Sequence, residues 1–146
     1  MKATPLPKLV SLGEYWSSKR GCRAIPSRAD FPVAELRPWI GNLAIIELDA
    51  AARWRFRLCG TNLFPRFGGD VSGRYLDSLP ADIVRSTAAC VARTSRSKEP
   101  VPDHHARMID GHLARFEETG FPLSDDNIAV NTVLFASFPT KAVPAK

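Results

Sequence analysis

Leu43-Ala44-Ile45-Ile46-Glu47-Leu48 is a short apolar run. After a polar turn at Asp49 to Arg53 the chain returns as Trp54 to Leu58, with apolar and basic residues in strict alternation. That pattern predicts an antiparallel hairpin. Because strand side chains alternate, Trp54, Phe56 and Leu58 are expected on one face and Arg53, Arg55 and Arg57 on the other. Asp103 to Ile109, the tight Asp110-Gly111 turn and Leu113 to Phe121 predict a second hairpin. After a turn at Ser124 to Asn127, Ile128 to Phe138 forms the last and most apolar strand. There Val130, Leu134, Ala136 and Phe138 point one way, and Ala129, Val133 and Phe135 the other. A strand apolar on both faces belongs in the middle of a sheet with cover on both sides.

Helical spacing supplies that cover. Leu9, Leu12, Tyr15 and Trp16 recur at three- and four-residue steps, predicting a helix from Leu9 to Lys19 that Gly21 stops. A short helix is expected from Val33 to Ile40, with Pro32 in its first turn, and a single helical turn from Asn62 to Phe67. Ser78 or Asp82 caps a longer helix to about Ser97, with Ile83, Val84, Thr87, Ala88 and Val91 on one side. The helices between the second and third strands cover one sheet face. The Leu9 to Lys19 helix, or a partner subunit, must cover the other. The expectation is an α+β fold: a five-stranded antiparallel sheet with helices on one face and an N-terminal helix flanking it. Its divisions are a basic arm over residues 1–28 with a disordered lead at 1–8, a domain over 29–140 and a tail over 141–146.

Charge changes the picture in one place. The formal net charge of +5 sits wholly in residues 1–28, where Lys2, Lys8, Lys19, Arg20, Arg23 and Arg28 face only Glu14. The remainder carries 14 basic and 14 acidic residues, so the body lacks the basic patch of a dedicated nucleic-acid domain. No apolar run is long enough to cross a bilayer, and Pro5, Pro7 and Lys8 break up the N-terminus as a signal-peptide core. A cytoplasmic protein without membrane insertion is expected. Cys22, Cys59 and Cys90 have no metal-ligand spacing and read as free thiols.

The apolar residues Phe56, Leu58, Phe64, Phe67, Leu76, Leu79, Ile83, Met108, Phe116 and Leu134 are expected to line the space between sheet and helices. Either a small apolar or aromatic ligand or a filled core would suit that lining. Gly60, Gly68, Gly69 and Gly73 fall where the chain reverses, and glycine tolerates positive φ there. Arg74, beside the last of these turns, either joins the ligand-binding set by holding an acidic group or pairs with Asp70 or Asp77. No nucleophile elbow, phosphate loop, zinc-protease helix or dinucleotide fingerprint occurs, so no catalytic residue is assigned. A small α+β pocket enzyme of isomerase or hydratase type would need a buried carboxylate, and Glu118, on the face of Phe116, is its candidate. His104 and His105 are adjacent on a strand and point to opposite faces, so no metal ligand is assigned. Arg53, Arg55 and Arg57 could track phosphates, but no aromatic residue interleaves on their face. A solvated row, paired with Glu47 or Asp49, is expected instead.

Several short motifs occur in a telling order: Tyr15-Trp16 with its following basic residues, Pro26-Ser27-Arg28-Ala29-Asp30-Phe31, Phe56-Arg57-Leu58-Cys59-Gly60-Thr61, Phe67-Gly68 with Gly73-Arg74, and Pro122-Leu123-Ser124-Asp125-Asp126. Over about residues 10–138 the chain resembles the PAS domain family, in particular small bacterial proteins that are little more than one PAS domain. The resemblance implies a sensory or interaction module without intrinsic catalysis. Light-sensing members carry a cysteine two residues after a Gly-Arg pair. Here Leu76 follows Gly73-Arg74 at that place, which disfavours a photoactive flavin. Haem-binding members place a histidine on the long helix, and Asp82 to Ser97 has none, which disfavours haem. The cofactor is left unknown. The expected partner is a signalling protein, with a small hydrophobic ligand in addition. Nucleic acid, reached through the basic arm, is the disfavoured alternative. Self-association as a homodimer is expected through Leu9, Leu12, Tyr15 and Trp16 and the outer sheet face.

Overall fold

The structure, a computed structural model, describes residues 6–140. Residues 1–5 of the expected lead and the 141–146 tail lie outside the described residues. Helix α1 spans Pro7–Arg20, so the lead ends earlier than expected; Pro7 fits the first helical turn, where its missing N–H loses no bond. Strands β1 (Leu43–Leu48) and β2 (Trp54–Cys59) form the first hairpin. Helix α2 (Phe64–Phe67) is a single turn, and α3 (Ala81–Arg96) the long helix. Strands β3 (Val101–Ile109), β4 (His112–Leu123) and β5 (Thr132–Pro139) complete the sheet. The expected 33–40 helix is a short 3-10 turn at Val33–Leu36.

The sheet is antiparallel throughout, in the order β2-β1-β5-β4-β3, so the strand that is apolar on both faces is the central one. On the inner face, α2 and α3 close over Ala44, Ile46, Phe56, Val133 and Phe135. On the outer face, α1 lays Leu9, Leu12 and Trp16 against Ile45, Phe121, Leu123 and Leu134. The Trp16 indole N–H donates to the carbonyl of Pro122 at 3.0 Å, which satisfies its one polar atom in the buried layer. Helix α1 is thereby part of the folded body. Its Lys19 and Arg20 are turned onto that body, on Glu35 and Glu99, and Arg23 just beyond the helix pairs with Asp30.

Two local features depart from simple alternation. Ile45 pairs with Leu58 and Ile46 with Phe56, which leaves Arg57 as the extra residue of a β-bulge. The bulge turns Leu58 into the outer layer while Trp54 and Phe56 stay inside, so these three do not share a face. The last strand also begins later than expected, at Thr132. Asp126 accepts the N–H groups of Ile128 and Ala129 in a turn, and Ile128 is exposed.

Two glycines allow close approach. Gly60 has φ −65°, so it is not there for a left-handed turn; a Cβ on it would collide with the carbonyls of Ile40 and Gly41. Gly120 lets β4 lie against α3, where a Cβ would collide with Thr94 Oγ1. Gly120→Ala should therefore lower stability by about 1–3 kcal/mol through overpacking. Adding Thr94→Ala should recover part of that loss, and thermal unfolding of the single and double variants checks both steps.

Candidate functional site

A charged pair lies at the centre of the inner layer. Arg66 projects from α2, which Pro65 opens and Gly68, at φ +78°, closes. Glu118 points inward from β4 between Phe116 and Gly120. Both side chains are fully buried, and Arg66 Nε donates to Glu118 Oε2 at 2.6 Å while Nη2 donates to Oε1 at 3.1 Å. Ser137, opposite Glu118 on β5, donates its hydroxyl to Oε2 at 2.6 Å. Arg66 also donates to Thr87 Oγ1 at 2.8 Å, Ser86 Oγ at 3.1 Å and the Ile83 carbonyl at 3.1 Å, all on α3. One guanidinium thus joins α2, α3, β4 and, through Glu118, β5. The forked geometry of Arg suits this role, and the partners meet the hydrogen-bonding demand that burial creates.

The network continues to β3. Ser86 Oγ lies 2.7 Å from His105 Nδ1. Since Ser86 accepts from Arg66, its own proton is assigned to Nδ1, and the neutral imidazole then carries its hydrogen on Nε2. That Nε2 is buried without a partner among the described residues. Burial, then the neighbouring Arg66 charge, holds the His105 pKa below the ordinary histidine value.

The residues expected around the pocket divide. Phe56, Phe67, Leu76 and Leu79 belong to the inner cluster, with Phe64 and Ile83 packed at its margin. Phe116 is buried beside the Arg66 guanidinium and the His105 ring. Four residues fall elsewhere. Leu58 lies in the outer layer because of the bulge, and Leu134 lies there because β5 alternates. Met108 is 60% exposed, since it shares the outer face of β3 with His104 and Ala106 beyond the reach of the helices. Arg74 is exposed and donates to the Ser78 carbonyl at 3.4 Å; the expected clamp with Asp77 is made instead by Arg53, which also stacks on Tyr75. Arg55 donates to the Gly73 carbonyl rather than pairing with Glu47.

The expected interface residues Leu9, Leu12 and Trp16 are buried within the chain, and Tyr15 stacks on Trp39 and donates to Glu35, so that face of α1 is not free. Glu118 does occupy the buried position that an enzyme would require, but Arg66 and Ser137 hold both its oxygens. Glu117 points the other way and accepts the Leu6 N–H. His104 and His105 lie on opposite faces as expected, and the described residues contain no group of three or more metal-ligating side chains.

Open clefts lie outside the inner layer. One of about 740 Å³ runs between the start of α1 and the end of β5, lined by Leu6, Lys8, Asn42, Asn62 and Phe138. Another of about 610 Å³ separates the first turns of α3 from β3, lined by Arg85, Ser86, Ala89 and His105.

A family model described as a PAS domain matches residues 4–126. The chain belongs to the PAS domain family. Its inner layer therefore lies between the sheet and the helical segment of a PAS domain, and the family places it among sensory and signalling modules in general. Among solved structures this PAS domain is similar to the PAS domain of BvgS from Bordetella pertussis, with 15% identity, coverage of 67% of this chain and 75% of that one, and a TM-score of 0.43. No curated protein sequence matches it. Among the described residues no helix is long and apolar enough to cross a membrane.

Arg66 and Ser137 were not singled out for this PAS domain from sequence, Thr87 was read only as part of the packed side of the long helix, and His105 was weighed only as a metal ligand. The available signal was weak: Glu118 alternates onto an apolar face, where an unpaired carboxylate would be prohibitive, and so demands a cation from elsewhere. Glu118→Ala should destabilise by about 3–5 kcal/mol by leaving Arg66 buried and unpaired. The double replacement Arg66→Met with Glu118→Leu should come within about 1–2 kcal/mol of the wild type in urea unfolding. Because the folded state holds His105 neutral below 6.5, the unfolded chain takes up its proton first as the pH drops. Stability should thus fall as the pH goes below that value, and His105→Gln should flatten the dependence.

Proposed function

We propose that this PAS domain is a non-catalytic cytoplasmic sensory module whose output is a change of protein contacts. A small ligand or a protein partner favours one position of α2 and α3 on the sheet, and the altered surface is read by a signalling partner. The observation that carries this reading is the Arg66–Glu118 pair, which ties the helical roof to the sheet through one directional, all-or-none contact. Such a pair adds little net stability relative to an apolar core, yet it penalises intermediate arrangements in which one partner is left unpaired. The inner layer is packed with side chains, so an apolar ligand gains a place there only when the roof moves, which couples binding to output.

Other readings have less support. An isomerase or hydratase would need a carboxylate free to take a proton, and Glu118 has both oxygens engaged away from solvent. A nucleic-acid binder would need free cations on the arm, where Lys19, Arg20 and Arg23 are paired. The free thiols Cys22, Cys59 and Cys90 suit a reducing compartment.

Amide hydrogen exchange tests the moving roof. Amides of α3 should open by a local route at lower free energy than those of β5, and Glu118→Gln should speed exchange in α3 while β1 and β5 keep their protection. If α3 and β5 exchange together in both proteins, the roof does not move separately and the mechanism is lost.

A further inference from the structure

The two edges of the sheet are treated differently. Beside β2, the Phe56 N–H donates to the Arg74 carbonyl, the Gly73 N–H donates to the Phe56 carbonyl, and Arg55 bridges to Tyr75. That edge is closed. At the other side β3 runs for nine residues with no neighbour among the described residues.

Which backbone groups of β3 face outward follows from β4. The Thr140 N–H donates to the Arg115 carbonyl, so the Arg115 backbone faces β5. Its partner on β3, Ala106, must then turn its own N–H and C=O toward the open edge. By alternation Pro102, His104 and Met108 face outward as well. The outward N–H of His104 is held by Asp103 Oδ1 at 2.9 Å, the chain's own side chain standing where a neighbouring strand would be.

We infer that β3 pairs with β3 of a second copy, antiparallel about a two-fold axis at His105, to give one sheet continuous across both copies. The sequence of the strand is complementary to itself in that register. Asp103 falls opposite Arg107 of the second copy, Val101 opposite Ile109, Pro102 opposite Met108 and His104 opposite Ala106. The outward groups match: the Ala106 N–H meets the His104 carbonyl of the other copy, and the Met108 N–H meets the Pro102 carbonyl. Pro102 has no N–H to leave unpaired at the end of the ladder. Moving the axis to His104 puts Asp103 opposite His105 and Arg107 opposite Val101. Moving it to Ala106 puts Arg107 opposite His105. Only the axis at His105 sets opposite charges directly across, in the closely spaced non-hydrogen-bonded pairs where such charges interact best.

The groups concerned are able to make these contacts. Arg107 uses Nη1 on the carbonyls of Pro65 and Arg66, and its other guanidinium nitrogens make no hydrogen bond among the described residues. Asp103 keeps Arg93 on Oδ2 and exchanges the His104 N–H on Oδ1 for the incoming guanidinium. Clefts of about 610 Å³ and about 390 Å³ flank the strand, and both are lined by His105. Met108, 60% exposed, gains the Pro102 ring of the second copy as cover. The inference does not depend on what the domain senses.

Sedimentation equilibrium over a concentration series tests it with the full chain. The wild type should dimerise. Ala106→Pro removes an outward N–H and should raise the dimer Kd by about tenfold or more while leaving the circular dichroism spectrum unchanged, because an edge strand tolerates proline there. Asp103→Arg should also weaken the dimer, and Asp103→Arg with Arg107→Asp on one chain should restore it. A wild type that stays monomeric throughout, or a dimer indifferent to Ala106→Pro, overturns the inference.

Discussion

The demand that β5 be covered on both faces shapes the whole molecule. Val133 and Phe135 look inward while Leu134 and Ala136 look outward, and water has to be kept from both sides. Two separate pieces of chain meet that demand. The segment between β2 and β3 folds over the inner face, and α1 returns from the N-terminus to the outer face with Leu9, Leu12 and Trp16. Burying aliphatic and aromatic side chains of this size contributes about 1.5–3 kcal/mol each, so neither cover is dispensable in a small domain. Two layers around one sheet follow from the central strand.

The layers differ in character. The outer layer is apolar, with the Trp16 indole bonded to Pro122 as its polar anchor. The inner layer contains Arg66, Glu118, Thr87 and Ser137, all buried and mutually bonded. Apolar packing tolerates small slips, whereas a bidentate ion pair does not. The outer layer is suited to hold the sheet and the inner layer to register where the roof sits. On the proposed mechanism, that division would give the domain a fixed frame and one element that takes up discrete positions.

Much of the fold was legible in the chain because it rests on local periodicity. The bounds of β1, the Asp110-Gly111 turn and the α1 and α3 stretches all lie within a few residues of expectation. The central place of β5 followed from its two apolar faces. Where the reading of the candidate site failed, the cause was non-local. Leu58 was misplaced because a bulge opposite Ile45 and Ile46 cannot be seen in β2 alone. Met108 was misplaced because hydrophobicity does not reveal how far a helix reaches along a hairpin. Arg74 and Arg53 compete for Asp77, and only the folded turn decides between them.

By itself the sequence determined the alternation of strands and helices, the middle strand and the confinement of excess charge to the first 28 residues, since each is a property of neighbours along the chain. Tertiary structure decided that Glu118 has Arg66 for a counter-ion, 52 residues away, that His105 closes the network through Ser86, and that one sheet edge is shut while the other has no neighbour among the described residues. The physical reason is that burial and charge pairing depend on distance in space. Residues far apart in sequence become neighbours only once the roof has closed over the sheet.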